Sequence, residues 1–311
     1  MRVLSSGAAG ERTMRVSVVG ASGLIGRHAS EALVARGDEV VAVSRRGDSG
    51  IGGVEDVRWD PAEGPPPAAA LDGADAVVNL AGASLAGRRW STARKREIRE
   101  SRVLTTRALV DALAGEGRPP VLVNASGIDY YGPRGDETVD ETAGPGSGFL
   151  AETCVAWERE AARAADHGAR VVMVRSAVVL SDEGGALPTI ARPVRLFAGG
   201  PLGGGRQWLP WIHLDDEVGL ILLALDRPDL AGPVNATSPE PTRQGEFVKA
   251  LGHALHRPAV VPTPAVALRL ALGEMATLVL DGQRAVPGAA LAAGYRFRHP
   301  DLDGALRAIY G

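Results

Sequence analysis

Val16-Ser17-Val18-Val19-Gly20-Ala21-Ser22-Gly23-Leu24-Ile25-Gly26 is a buried strand, a glycine turn and a helix start in one piece. In such a turn Gly20 permits the tight bend, Gly23 lets backbone N–H groups approach a pyrophosphate, and Gly26 allows close helix–strand packing. The helix N-terminus adds partial positive charge for the anion. Ser22, Leu24 and Ile25 are counted with the three glycines as the dinucleotide-binding turn. A lone glycine triplet is weak evidence, but this one opens a βαβ unit at the head of the globular chain, the context the motif requires.

Outward from that turn, short apolar runs alternate with helical stretches. Val16–Val19, Val40–Val43, Ala76–Leu80, Val121–Ala125 and Val171–Arg175 read as buried strands. Leu24–Arg36, Arg94–Ala114 and Leu150–Ala165 carry apolar residues at helical spacing, with Gly37, Gly115 and Gly168 where helices would stop. Strand alternating with helix predicts an α/β fold, a Rossmann doubly wound parallel sheet. After Leu180 the rhythm changes to glycine-rich loops, and Phe247–Leu272 reads as helix broken by prolines. We expect a small C-terminal α/β lid that binds substrate. The expected division is a flexible leader over residues 1–13, a Rossmann domain from 14–180 and 209–237, and the lid from 181–208 and 238–311.

The end of the second strand selects the cofactor. A site specific for NAD carries Asp or Glu there, about 20 residues past the turn. Here the sequence is Ser44-Arg45-Arg46. A guanidinium suits the 2′-phosphate of NADP(H) through charge-assisted hydrogen bonds, and Ser44 can add a hydroxyl. Asn79-Leu80-Ala81-Gly82 ends the fourth run with small residues where backbone could pass beneath the cofactor. Asp60 could meet the adenine amino group or simply form a turn.

The 311 residues, 45% apolar and 23% charged, are those of an ordinary globular chain, which excludes disorder. A net charge of −3 gives no electrostatic reason to expect nucleic acid or a membrane surface as partner. One cysteine, Cys154, permits no internal disulfide, and no apolar run reaches membrane-spanning or signal-peptide length. A cytoplasmic protein with a small-molecule substrate is expected, and a homodimer is left open. With no Cys/His cluster at ligand spacing, no metal site is expected. The only lysines are Lys95 and Lys249, so lysine chemistry must use one of them.

These residues carry a resemblance. The sequence resembles the extended short-chain dehydrogenase/reductases, and closely their atypical branch labelled epimerase family protein. The matching pieces include Gly20–Gly26, Asn79-Leu80-Ala81-Gly82, Arg99-Glu100-Ser101-Arg102, Tyr130-Tyr131-Gly132 and Trp157-Glu158. Later come Arg175-Ser176, Arg206-Gln207-Trp208, Trp211-Ile212-His213-Leu214-Asp215-Asp216 and Gly282-Gln283-Arg284. The resemblance implies NADP contacts on Ser44, Arg45, Leu80, Ala81, Arg102 and Val179, with Glu97 also facing the cofactor. For Arg102 the rival is a surface ion pair with Glu97 or Glu100.

Ordinary members of that superfamily pair a catalytic Tyr with a Lys four residues later. Here Ser91 lies four before Lys95 and Gly245 four before Lys249, so the pair is absent. Phe149 and Thr153 occupy the segment that should hold it. Ser126, Asp129, Tyr130 and Tyr131 remain as candidate catalytic groups. Ser126 could hydrogen-bond a carbonyl, and either tyrosine could stand in as proton donor or pack as core. Asp129 is a general acid/base if desolvated and a turn-former if solvated. Arg206, Gln207, Trp208, Trp211 and His213 suit a flat or anionic substrate. Asp215 is expected to cap a helix beginning near Asp216. Two functions are open: an NADP(H)-dependent oxidoreductase or epimerase, or a low-turnover cofactor-binding regulator. The regulator has support in the resemblance, since relatives in cyanobacteria and plastids are linked to cell division. A third, weaker reading is a tailoring enzyme of secondary metabolism.

Overall fold

The computed structural model describes residues 13–114 and 120–311. The expected leader, apart from Thr13, and the helix stop at Gly115 fall outside the described residues. Within them a seven-stranded, wholly parallel sheet forms from β1 (Arg15–Val19), β2 (Glu39–Ser44), β3 (Val54–Arg58), β4 (Ala76–Asn79), β5 (Val121–Gly127), β7 (Val171–Ser176) and β10 (Gly232–Ala236). Its order is β10-β7-β5-β4-β1-β2-β3. The order reverses between β1 and β4, the switch point outside whose strand ends ligands bind in open α/β sheets.

Alternation of side chains across the strands builds two cores. Val16, Val18, Val40, Ala42, Val78 and Val123 point to one face, where α1 (Leu24–Arg36) and α5 (Leu214–Asp226) bury Leu33, Leu220 and Ile221. Val19, Val41, Val43, Val77 and Leu122 point to the other. There α2 (Thr92–Leu113) and α3 (Phe149–Ala162) cover them with Leu109, Val110 and Ala161. Each fully buried Val or Leu contributes about 1.5–3 kcal/mol relative to exposure. Gly37 and Gly168 stand in the left-handed conformation at the ends of α1 and of the short turn following α3, as their spacing predicts.

Two strands lie outside the expected set. β3 is an edge strand whose Glu55, Asp56 and Arg58 mask its pattern, and β10 lies within 209–237, expected to belong to the Rossmann domain but not read as a strand. The remaining elements lie outside this sheet. They are the pairs β6 (Thr138–Val139) with β11 (Arg284–Ala285) and β8 (Val178–Leu180) with β9 (Trp211–His213), and the helices α4 (Leu187–Arg195), α6 (Gln244–Ala254), α7 (Ala265–Leu272), α8 (Thr277–Leu280), α9 (Gly288–Ala292) and α10 (Leu302–Tyr310). A third core of Leu180, Leu187, Trp211, Phe247, Leu251 and Leu306 holds α4, α6 and α10 together. Residues 255–264, with Pro258, Pro262 and Pro264, separate α6 from α7 where one broken helix was expected. No helix among the described residues is long and apolar enough to cross a membrane.

Candidate functional site

The glycine turn is built without slack. Gly20 adopts φ +87°, and a Cβ there would meet the Leu80 carbonyl carbon at 3.0 Å, so the ends of β1 and β4 nearly touch. A Cβ on Gly26 would lie 2.3 Å from the Gly20 oxygen, inside the turn's own backbone. The turn is pinned by Gly20 N–H donating to Val43 O (2.9 Å) and Gly23 N–H to Gly20 O (3.0 Å). Gly23 is the N-cap of α1, with no side-chain cap and no acidic residue in the first turn. The first N–H groups of a helix lack intrahelical partners, and this end is left for an external anion. Ser22 is exposed at the lip, and Leu24 and Ile25 are half-buried. The loop carrying Gly185 reaches Leu24, since a Cβ on Gly185 would meet Leu24 at 3.3 Å and Val179 O at 3.6 Å.

At the tip of β2, Arg45 and Arg46 are both exposed, and the first carboxylate after the strand is Asp48, which accepts from Gly50 N–H (3.0 Å). The Ser44 hydroxyl accepts from Gly47 N–H (3.1 Å), rounding the turn. Asp60 accepts from Ala62 N–H (3.0 Å), which is its turn-forming role. Glu97 is exposed and held 2.7 Å from Arg94. That hydrogen bond, with smaller pulls from Arg88 and Arg45, keeps its carboxyl below the usual range. Arg102 corrects its rival reading. Among the described residues it pairs with neither Glu97 nor Glu100 and instead lies half-buried, donating to the carbonyls of Ala83 and Ile98 (both 3.0 Å). Its guanidinium stands 5.3 Å from the Trp157 ring, a Cβ on Gly82 would meet it at 3.0 Å, and burial lowers its pKa.

Beyond β5 lies a buried polar network that the sequence reading missed. Glu158 of α3 takes both Nε and Nη2 of Arg175 at 2.8 Å and the Ser126 hydroxyl at 2.7 Å. Arg175 Nη1 donates to the Tyr131 hydroxyl (2.8 Å), which donates to Asn235 Oδ1 (2.8 Å). Below it, Asn79 donates to Thr106 (2.8 Å) and Asn124 (2.7 Å), and Trp157 Nε1 also reaches Thr106 (2.8 Å). Two expectations are corrected here. The Ser126 proton is committed to a carboxylate and is not available to a carbonyl. Tyr131 is fully buried with its hydroxyl spoken for, and burial lifts its pKa to about 12, so it is a structural tie rather than a proton donor. Tyr130 is half-buried, its ring 3.5 Å from the Arg175 guanidinium carbon.

Asp129 stands differently. It sits in the single turn after β5, near the Cys154 thiol and Arg102. Burial raises its carboxyl to about 6 against the opposing pull of Arg102. The same burial pushes Cys154 up to about 12, so the thiol stays protonated. Phe149, where the superfamily's tyrosine would stand, packs edge-on to Trp90 at 5.2 Å. Lys95 approaches that ring to 5.3 Å, but its amine is bound to Glu274 at 2.8 Å, so it links α2 to the segment after α7.

The expected substrate residues divide. Trp211 is corrected: it is 1% exposed in the third core, its Nε1 donating to Thr242 (3.1 Å). Gln207 is tied to the carbonyls of Leu202 (3.0 Å) and Val279 (2.6 Å), so its amide ties its own loop to α8. Trp208 donates to Asp136 (2.8 Å) beneath Arg243 and Arg284, whose guanidinium carbons lie 4.2 and 5.0 Å from its ring. Arg206 is exposed. His213 is the N-cap of α5, accepting from Asp215 N–H (3.1 Å). The helix therefore starts at Leu214, and Asp215 is not its cap.

A parallel sheet with a glycine turn at its switch point and an uncapped helix beneath it defines a Rossmann-like dinucleotide-binding protein of the extended short-chain dehydrogenase/reductase fold. The chain belongs to the NAD dependent epimerase/dehydratase family, which matches residues 16–236. Residues 263–309 match a domain of unknown function, DUF1731. An epimerase family protein of Mycobacterium bovis is 43% identical over 94% of this chain and 96% of its own length. The chloroplastic SDR39U1 homolog of Arabidopsis thaliana is 41% identical over 96% of this chain and 87% of its own. Among solved structures, human epimerase family protein SDR39U1 with NADPH aligns with a TM-score of 0.86 at 36% identity, covering 96% of this chain and 99% of that one.

Proposed function

We propose that the chain binds NADP(H) and acts as an oxidoreductase or epimerase on a small molecule without the standard tyrosine–lysine pair. The observation that carries the cofactor reading is an exposed guanidinium, Arg45, directly after β2 where a site specific for NAD carries an acid, together with an uncapped α1 N-terminus. The pyrophosphate fits the backbone of Gly20–Gly26, a turn that holds this shape only because Gly26 has no Cβ to strike the Gly20 and Ala21 backbone. Residues 14–180 and 209–237 hold the dinucleotide, and 181–208 with 238–311 close over its reactive end. The human relative crystallised with NADPH supports this reading. The bound nicotinamide supplies a hydride donor or acceptor.

Of this chain's own groups, Asp129 moves the proton. Its carboxyl near 6 can both give and take a proton at neutral pH. The Glu158–Arg175 pair fixes Ser126 and both tyrosines at the end of β5. Trp208 with Arg206, Arg243 and Arg284 offers an indole face and cationic groups to a flat or anionic substrate.

Two measurements test this. NADPH should be consumed, by loss of its reduced-nicotinamide absorbance, with at least one compound of a carbonyl panel; tight binding with no turnover anywhere favours a cofactor-binding regulator. In Arg45→Glu the NADPH Kd should rise about a hundredfold, the worth of losing charge-assisted phosphate bonds, while NADH changes less than about threefold. Equal loss of both cofactors refutes the 2′-phosphate assignment.

A further inference from the structure

The segment entering α10 lays His299 against His213, with ring centroids 3.8 Å apart and planes inclined by 32°. Asp215 reaches the same spot: its Oδ2 is 3.3 Å from His299 Nε2 and 3.7 Å from His213 Nδ1. One ligand atom from each of the three residues lies within 4.8 Å of the others. Donors bound at 2.0–2.1 Å around a tetrahedral ion stand about 3.3 Å apart. Both measured edges from Asp215 match that separation to within about half an ångström.

The scaffold behind this cluster is fixed. Asp216, fully buried, accepts from the backbone N–H groups of Arg298 (2.8 Å) and His299 (2.9 Å) and from the Tyr295 hydroxyl (3.0 Å). That carboxylate locks the histidine-bearing segment onto the first turn of α5. His213 is itself nearly buried at the end of β9, whereas the Asp215 side chain is 48% exposed and leaves one side open to a water ligand. An ion would take the His213 Nδ1 lone pair that now accepts from Asp215 N–H, and the acidic residues of this turn offset the positive end of the helix.

We propose that His213, Asp215 and His299 bind a divalent metal ion of the zinc class. Two imidazoles and one carboxylate are a donor set for late first-row ions, and zinc tolerates three protein ligands with a water. The site staples α10 to the sheet. Chain spacing hid it, because His299 is 84 residues beyond Asp215.

The test uses the full chain, stripped with a chelator and titrated with Co2+, whose tetrahedral complexes absorb intensely in the visible. One equivalent should bind with tetrahedral bands that Zn2+ displaces. Zn2+ at a hundredfold excess over its Kd should raise Tm by about 5 °C. Both signals should vanish in His299→Ala and persist in His28→Ala, which removes a histidine paired 3.2 Å from Glu183 elsewhere. If His299→Ala does not fold, Asp215→Asn decides, because among the described residues that carboxylate touches only the two imidazoles. Absence of a saturable Co2+ band, or its survival in His299→Ala or Asp215→Asn, overturns the proposal.

Discussion

Glu158→Ala should destabilise the fold by about 3–5 kcal/mol, the cost of leaving one partner of a buried ion pair uncompensated. Arg175 is 3% exposed, and its two hydrogen bonds to Glu158 hold its pKa up against burial, which works in the opposite direction. With the carboxylate gone, the guanidinium retains only the Tyr131 hydroxyl and the faces of the two tyrosine rings. Ser126 loses its acceptor as well. Urea unfolding at pH 7 measures the loss as a fall in midpoint at nearly constant slope. A paired replacement, Glu158→Leu with Arg175→Met, should recover most of it, because two apolar groups strand no charge. A loss below about 1 kcal/mol in the single variant would mean that water reaches Arg175 and that the network is not sealed.

The same network shows what was legible in the sequence. Strand–turn–helix chemistry is local, so Val16–Gly26, the five buried strands and the sheet class could be read from spacing alone. So could the glycine turn itself, since Gly20 and Gly26 act through backbone geometry. The reactive end is assembled from α3, β5, β7 and β10, which lie far apart along the chain, and no periodicity reports that. A signal was nevertheless present. Glu158 falls on the 151-154-158-161 stripe that α3 buries, and a carboxylate on an apolar stripe needs a cation. Arg175 follows Val171–Val174 in a buried strand and needs an anion for the same reason. Matching these two charges would have shown that Ser126 and Tyr131 were already committed. Trp211 misled because an aromatic beside polar residues resembles a ligand platform, whereas β9 turns it into the third core.

Asp129→Asn should have opposite effects on stability and on turnover, and this separates the acid/base role from a turn-forming one. Burial raises the carboxyl from 3.8 to about 6, with Arg102 pulling the other way. The folded protein therefore holds this proton more tightly than the unfolded chain. A raised acid costs nothing below pH about 3, where both states are protonated, and destabilises increasingly as pH climbs from the unfolded value through the folded one. Above pH about 7 the cost is complete, at most about 3 kcal/mol for a hundredfold difference in proton affinity. The amide cannot ionise and keeps the carboxyl's shape, so the variant should match the wild type near pH 3 and exceed its stability by about 1–3 kcal/mol at pH 8. Thermal or urea unfolding across that range checks the sign. Turnover with any substrate found by NADPH consumption should fall by about 10²–10⁴, the usual worth of a positioned acid/base, while NADPH affinity stays within about threefold because the dinucleotide lies on the glycine turn. In the wild type, kcat/KM should bend near pH 6 in the free enzyme, and that bend should be missing from the residual activity of the variant. A solvated turn-former predicts the reverse pattern: stability unchanged with pH, turnover intact and no bend near 6.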